Sequence, residues 1–400
     1  MTLELNQVAP QVKAMGRALA EQSPLREETL KDALSLLHQF STEFTALDDR
    51  IRQAERVQQS QRFGWVGAAP TNEALSTAYP LPSCPERITV IAGDGSQILP
   101  DPHGITLYYL INTGSIIYRH GSNLKPETYN PPPQLCFNLE ELVDEQGRLI
   151  SPGEVNVKRD FAELEVLIDR VNYLNLTAEP VIALLDGQLS LRVIDLPFHQ
   201  QEDFQRQYIT RLDALQQSGA LLAGYIDRPR STFVLALLHL AALELEAISE
   251  ASLRFNPFRH LTDIDLFSFL GPGERSAIFS VRAKGLEKYT QGGHTIHFCY
   301  LNVSSGNLPK LARIELPAWL LANRQALDAV HAAIVRQAHI TGGYPYVLAR
   351  AHELAIISPE EREAVEMMLA VEMRRQGLMP SLSPKQFNKT LLGHRESFRL

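Results

Sequence analysis

Two short runs, TVIAGDGS from Thr89 and IALLDGQLS from Ile182, constrain the fold of this chain more than any other feature. Each is a continuous apolar stretch that closes on Asp-Gly. Apolar runs without alternation belong to strands buried on both faces, the habit of central strands in a parallel sheet. ALLAGYID, from Ala220, is a third such run. Between the first two lies NVKRDFAELEVLIDRVNYL, with Phe161, Leu164, Ile168 and Val171 at helical spacing. Between the second and third, FQRQYITRLDALQQSG reads as a helix closed by Gly219. Strand, helix, strand, helix, strand is an α/β signature with parallel pairing at its centre.

Asp-Gly ordinarily marks a turn, since glycine tolerates positive φ and aspartate bonds its own backbone. Asp94 and Asp186 are therefore expected at corresponding strand ends, with Gly95 bending the chain and leaving the Asp94 carboxylate exposed at the tip. If the strands are parallel neighbours, the two carboxylates meet at one edge of the sheet, outside the carboxyl ends where open α/β sheets bind ligands. Like charges repel there, and a divalent cation that favours hard oxygen, Mn²⁺ or Mg²⁺, relieves the repulsion. The intervening helix carries Glu163, Glu165 and Asp169. Strand Asp, helix Glu, strand Asp is the order used by RNase H-like metal nucleases. Further on, GGYPYVLARAHELAIIS places Tyr344 and His352 eight residues apart, a little over two helical turns. An imidazole there can ligate a metal or move a proton, and a phenol can hydrogen-bond a phosphate oxygen.

The flanks are less specific. Residues 1–60 are helical, with Leu30, Leu34, Leu37, Phe40, Phe44 and Leu47 forming one apolar stripe. Such a stripe is more often packing surface than function; the functional alternative is that its part around Leu34 and Phe40 is exposed as a dimer or translocase interface. A Gly- and Pro-rich linker covers 61–86, the core domain 87–358, and a C-terminal helix with a basic tail 359–400. The run FVLALLHLAALELEAI is broken by His239, Glu244 and Glu246 and suits a buried helix better than a bilayer span. With a net charge of −8, the chain is not composed like a dedicated nonspecific nucleic-acid binder. Cys84, Cys136 and Cys299 are scattered, and the N-terminus shows no secretory pattern, which points to a cytoplasmic protein.

Four motifs in order, GDGS, LLDGQLS, DLFSFLGPGERSAIF and GGYPYVLARAHELAIIS, make the stretch from Arg87 to Ser358 resemble the NurA nuclease family. The resemblance implies an RNase H-like mixed sheet core flanked by helices, here with an N-terminal helical extension. It also implies a Mn²⁺-dependent DNA nuclease (Mg²⁺ being the alternative ion) that works in DNA end processing and double-strand break repair. The family's usual context is a homodimer acting with a HerA-like hexameric translocase. Carried over by position, the strand acids are Asp94 and Asp186 and the distal pair is Tyr344 and His352. The helix acid is Glu163, with Glu165 in reserve. In this reading Asp94, Glu163 and Asp186 hold the metal, His352 completes its shell or handles a proton, and Tyr344 orients the scissile phosphate. Arg228 and Arg230 in IDRPRS, and Arg275 in GPGERS, are the expected phosphate contacts.

Two other readings stay open at this level. An actin-like or sugar-kinase-like phosphotransferase shares the core topology, and its phosphate hairpins also place Asp and Gly after a strand. A non-catalytic clamp subunit could keep the fold and bind DNA without cutting it. GPGERS lacks the Gly-Lys-Ser/Thr of a P-loop, and Asp263-x-Asp265 follows no apolar strand as it would in a haloacid-dehalogenase-type phosphatase, so neither of those readings holds.

Overall fold

A computed structural model of the chain describes residues 4–58, 64–143, 147–174, 179–193, 196–306 and 308–378. The strands described are β1 (Gly67–Pro70), β2 (Ile88–Ile98), β3 (Tyr109–His120), β4 (Glu127–Tyr129), β5 (Gln134–Cys136), β6 (Val181–Asp186), β7 (Leu221–Asp227), β8 (Phe279–Arg282), β9 (Ile296–Asn302) and β10 (Leu311–Pro317). By contact the chain divides into two units that interleave in sequence: residues 1–83 with 225–323, and residues 84–224 with 324–400. The motif order alone implies one continuous 87–358 domain behind a helical segment, and it does not reveal this interleaving.

In the second unit the strands follow the order β6-β2-β3-β4, with β5 on β3. β2 and β3 are antiparallel along their length, from Ile88 opposite His120 to Ile98 opposite Leu110. β4 continues the meander, whereas β6 joins β2 in parallel. An antiparallel meander joined in parallel by β6, which follows a helix, is the RNase H-like arrangement expected from the sequence. Its centre is as apolar as the runs implied: Ile88, Val90, Ile91 and Ala92 of β2 and Ile182, Ala183 and Leu184 of β6 are at most 1% exposed. The helix Pro152–Tyr173 packs on β2 and β3, and so does the shorter helix Tyr346–Ala355. Ser151 and Glu154 start the first of these with a reciprocal capping box, and Pro152 sits in its first turn.

β2 departs from expectation in one respect that matters for the site. The strand does not end at Asp94-Gly95. It runs on to Ile98, with Asp94 opposite Gly114 and Gly95 opposite Thr113. What ends there is the pairing with β6, whose last partner pair is Gly93 with Leu185. β6 does stop at Asp186, where Gly187 turns with φ +129°. A phosphate hairpin would need a turn at Asp94-Gly95, so the kinase-like reading loses its anchor.

In the first unit the order is β1-β8-β9-β10, antiparallel between neighbours. The apolar stripe of the N-terminal helices (Leu5–Gln39 and Phe44–Val57) is not an outward face. Leu37 and Leu47 are fully buried, and Leu34, Phe40 and Phe44 pack on the same core as Leu237, Phe267, Phe279 and Phe298. Leu34 and Phe40 are partly buried against that core, so the stripe is packing surface and not the exposed face that the interface alternative needs. The helix Phe233–Ala241 is buried in that core, and no helix among the described residues is long and apolar enough to cross a membrane. The basic tail lies mostly outside the described residues, which end at 378.

Candidate active site

Side chains alternate between the faces of a strand, and β2 uses that alternation. A Cβ on Gly93 would meet Val166, and one on Gly95 would meet Arg159 Cγ at 2.8 Å and Glu163 Oε1 at 2.9 Å. The helix Pro152–Tyr173 therefore lies on the Gly93/Gly95 face. Gly95 is glycine because Arg159 and Glu163 occupy the space of its side chain; it does not bend the chain. Asp94 points to the other face. Gly114 stands opposite it on β3, and a Cβ there would lie 2.5 Å from Leu354 Cβ, so the helix Tyr346–Ala355 covers that face closely.

On that face the two strand acids are neighbours. Because Gly93 pairs with Leu185, the next residues along the parallel strands are Asp94 and Asp186, facing the same way. Each receives a side chain from the distal motif. The Nδ1–H of His352 donates to Asp94 Oδ2 at 2.7 Å, and the Tyr344 hydroxyl donates to Asp186 Oδ2 at 2.7 Å. Asp94 Oδ1 also accepts the Gly95 amide, at 2.8 Å. Tyr344 precedes its helix, which starts after Pro345, so the pair does not share a helical face as the spacing suggested. With Nδ1 committed, Nε2 is the nitrogen of His352 left for proton transfer or ligation, on a side chain that is 61% exposed.

The position of His352 is set from the far end of its helix. The last carbonyls of a helix need partners from outside it. Here Ser96 Oγ (2.5 Å) and Asn112 Nδ2 (2.7 Å) both donate to the Ala355 carbonyl, and Asn130 Nδ2 donates to that of Leu354 at 2.7 Å. Ser96 of GDGS is thus a clamp on the helix that carries the imidazole. Sequence reading missed all three clamp residues, because their partners lie more than 200 positions away.

Glu163 comes from the opposite face, at the level where β6 has stopped pairing with β2. It is 7% exposed, with Oε1 3.1 Å from Arg159 Nε. Burial drives its pKa well above the ordinary carboxyl value; Arg159 pulls it back, and the charges of Asp160, Asp94 and Asp186 push it up further. That coupling places Glu163 in one electrostatic cluster with both strand acids. Glu165 points elsewhere, receiving Arg211 Nε at 3.0 Å on the exposed side of the helix, and Asp169 is exposed too. Arg159, one turn before Glu163 in the sequence, and Asp160 are members of the site to which sequence reading gave no role.

As the side chains stand, Asp94 and Asp186 accept hydrogen bonds from His352 and Tyr344, Glu163 is ion-paired with Arg159, and among the described residues no three His, Cys, Asp or Glu side chains converge on one point. The donor set nevertheless suits a hard divalent cation. All three acids are carboxylates, and their mutual repulsion is what a cation removes.

The proposed phosphate contacts fare differently. Arg228 and Arg230 are exposed, Arg228 at φ +41° and 3.8 Å from Asp227. Arg275 is corrected: it is 1% exposed, with both terminal nitrogens 2.7 Å from the two oxygens of Glu73 and its guanidinium over the Tyr79 ring. A guanidinium so enclosed braces the first unit and cannot reach a phosphate. In the same unit Asp263 caps the helix Phe233–Ala241 through the amides of Val234 and Leu235, and Asp265 caps its own turn through Thr262.

The family model of the NurA domain matches residues 88–357, nearly the stretch over which the four motifs run. No match is found among curated proteins. Solved structures similar to the chain include the NurA nuclease from Sulfolobus solfataricus, at 10% identity and a TM-score of 0.49, covering 84% of this chain and 95% of that one. A second NurA crystal structure matches at 13% identity and a TM-score of 0.37, covering 80% of this chain and 94% of that one.

Proposed function

The chain belongs to the NurA domain family, and from that membership and the acid cluster we propose that it is a nuclease hydrolysing DNA phosphodiester bonds with a divalent metal ion, Mn²⁺ or Mg²⁺. The observation that carries the reading is the in-step pairing of β2 and β6, which sets Asp94 beside Asp186 at the edge where Glu163 joins them electrostatically. Asp94, Glu163 and Asp186 would hold the ion. When bound, it supplies an acidified water and stabilises charge gathering on the phosphate. His352, oriented by its Nδ1–H bond to Asp94, holds or passes a proton at Nε2. Tyr344, whose hydroxyl donates to Asp186, would orient a phosphate oxygen. Exposed Arg228 and Arg230 are candidate backbone contacts on the nucleic acid. A role at DNA ends, dimerisation and a HerA-like translocase partner belong to the same proposal and rest on family membership.

The test is cleavage of labelled linear DNA with Mn²⁺ or Mg²⁺. Asp94→Ala and Asp186→Ala should each lose at least about a hundredfold in rate while keeping the circular dichroism and melting behaviour of a folded chain. Undiminished cleavage by either variant would remove that residue from the site. Retention of DNA without cutting in any divalent ion would favour the clamp reading.

A further inference from the structure

Arg159 lies within the acid cluster. Its Nη2 donates to Asp160 Oδ1 at 2.7 Å and its Nη1 to Gln97 Oε1 at 3.4 Å, while Nε lies 3.1 Å from Glu163 Oε1. That last contact is close but badly directed: Nε is buried and makes no hydrogen bond of acceptable geometry. A buried donor left so is costly. Gln97 is itself held, its Nε2 donating to Asn156 Oδ1 at 2.8 Å, so two of the three guanidinium nitrogens have partners independent of Glu163.

Resting on the metal-ion reading above, we propose that Arg159 is the internal counter-cation of this site: it holds Glu163 until a divalent ion displaces it, and so sets how tightly that ion binds. Coulomb attraction ties the guanidinium to Glu163, and the same charge repels an incoming cation. Asp160 and Gln97 keep the arginine after Glu163 is released, so displacement does not strand a buried charge. Gly95 completes the device, because only an absent side chain leaves room for the arginine stem above β2. A plain structural ion pair would be stationed to bond well, and Arg159 bonds well only to Asp160.

The experiment is calorimetric titration of the full chain with MnCl₂ alone, without DNA. Arg159→Gln should bind Mn²⁺ about tenfold more tightly or better, for loss of one unit of repelling charge a few ångströms away. Arg159→Lys, which keeps the charge, should stay within about threefold of the unchanged protein. Should Arg159→Gln fold poorly, Arg159→Met keeps the stem over Gly95 and reads the same quantity. Equal or weaker binding by the neutral variants would overturn the counter-cation role while leaving the metal reading intact. No Mn²⁺ binding by the unchanged chain would overturn both.

Discussion

Each acid in the cluster has a partner that explains its placement, and the consequences can be measured residue by residue. Gly95→Ala would drive a methyl to within 3.0 Å of both Arg159 and Glu163. Overpacking of this kind costs about 1–3 kcal/mol; the denaturation midpoint should fall accordingly, and DNA cleavage should fall further than the loss of folded protein explains. A wild-type midpoint would show that the helix has room to retreat. Asp94 and Asp186 were legible because two apolar runs closing alike on Asp-Gly is a signal carried by the residues themselves. Gly95 was misread because Asp-Gly is usually a turn, and close approach by a helix from elsewhere in the chain leaves no local trace. Arg275 was misread for a related reason: a guanidinium suited to phosphate is equally suited to a carboxylate, and Glu73 lies 202 positions away.

Among the elements, the helix Tyr346–Ala355 is held at both ends, and each end yields a prediction. At its C-terminus, Asn112→Ala removes one of two side-chain donors to the Ala355 carbonyl. The loss in stability should be about 1 kcal/mol, and kcat should fall by more than that loss explains as His352 leaves its fixed place. Unchanged kcat would mean that Ser96 suffices. At its N-terminus, Gln337 donates to His120 Nε2 at 2.8 Å and accepts the Val347 amide at 3.1 Å, a bond pattern that requires neutral imidazole. Burial, with Arg336 adding, lowers the His120 pKa to about 4. Between that value and the ordinary 6.5 the unfolded chain binds a proton that the folded one refuses. This contribution to stability is therefore complete above the upper value and is lost as pH falls toward the lower. Buried Asp263, pushed up to about 6, works with the opposite sign. Comparing urea midpoints of the unchanged chain and His120→Gln near neutral and mildly acidic pH isolates the histidine; the variant should lose less on acidification. An equal loss in both would remove His120 as the cause. The helix itself was legible from its spacing, but not what clamps it.

At the scale of the whole molecule, the strand-helix-strand order of the RNase H-like unit could be read directly, since its central strands are apolar throughout and its helices amphipathic. The interleaving of the two units could not, because a linear reading joins what is adjacent in sequence. The N-terminal helices show the result: Leu37, Leu47, Ile51 and Ala54 are at most 3% exposed in the first unit's core. Leu47→Ala should cost about 2–5 kcal/mol, and a chain lacking residues 1–60 should melt lower or fail to fold instead of merely changing its oligomeric state. A normally stable truncated chain would contradict that placement. In the second unit, the proposed function puts catalysis on Glu163 acting with Asp94 and Asp186, while Glu165, two residues away on the same helix, is ion-paired with Arg211. The direct measurement is the initial rate of Mn²⁺-dependent cleavage of linear DNA by the unchanged chain, Glu163→Gln and Glu165→Gln, with a chelator control. Cleavage should be lost in the first variant, stay near normal in the second, and vanish for every chain in chelator. Cleavage that survives in Glu163→Gln, or that ignores the chelator, would contradict the assignment.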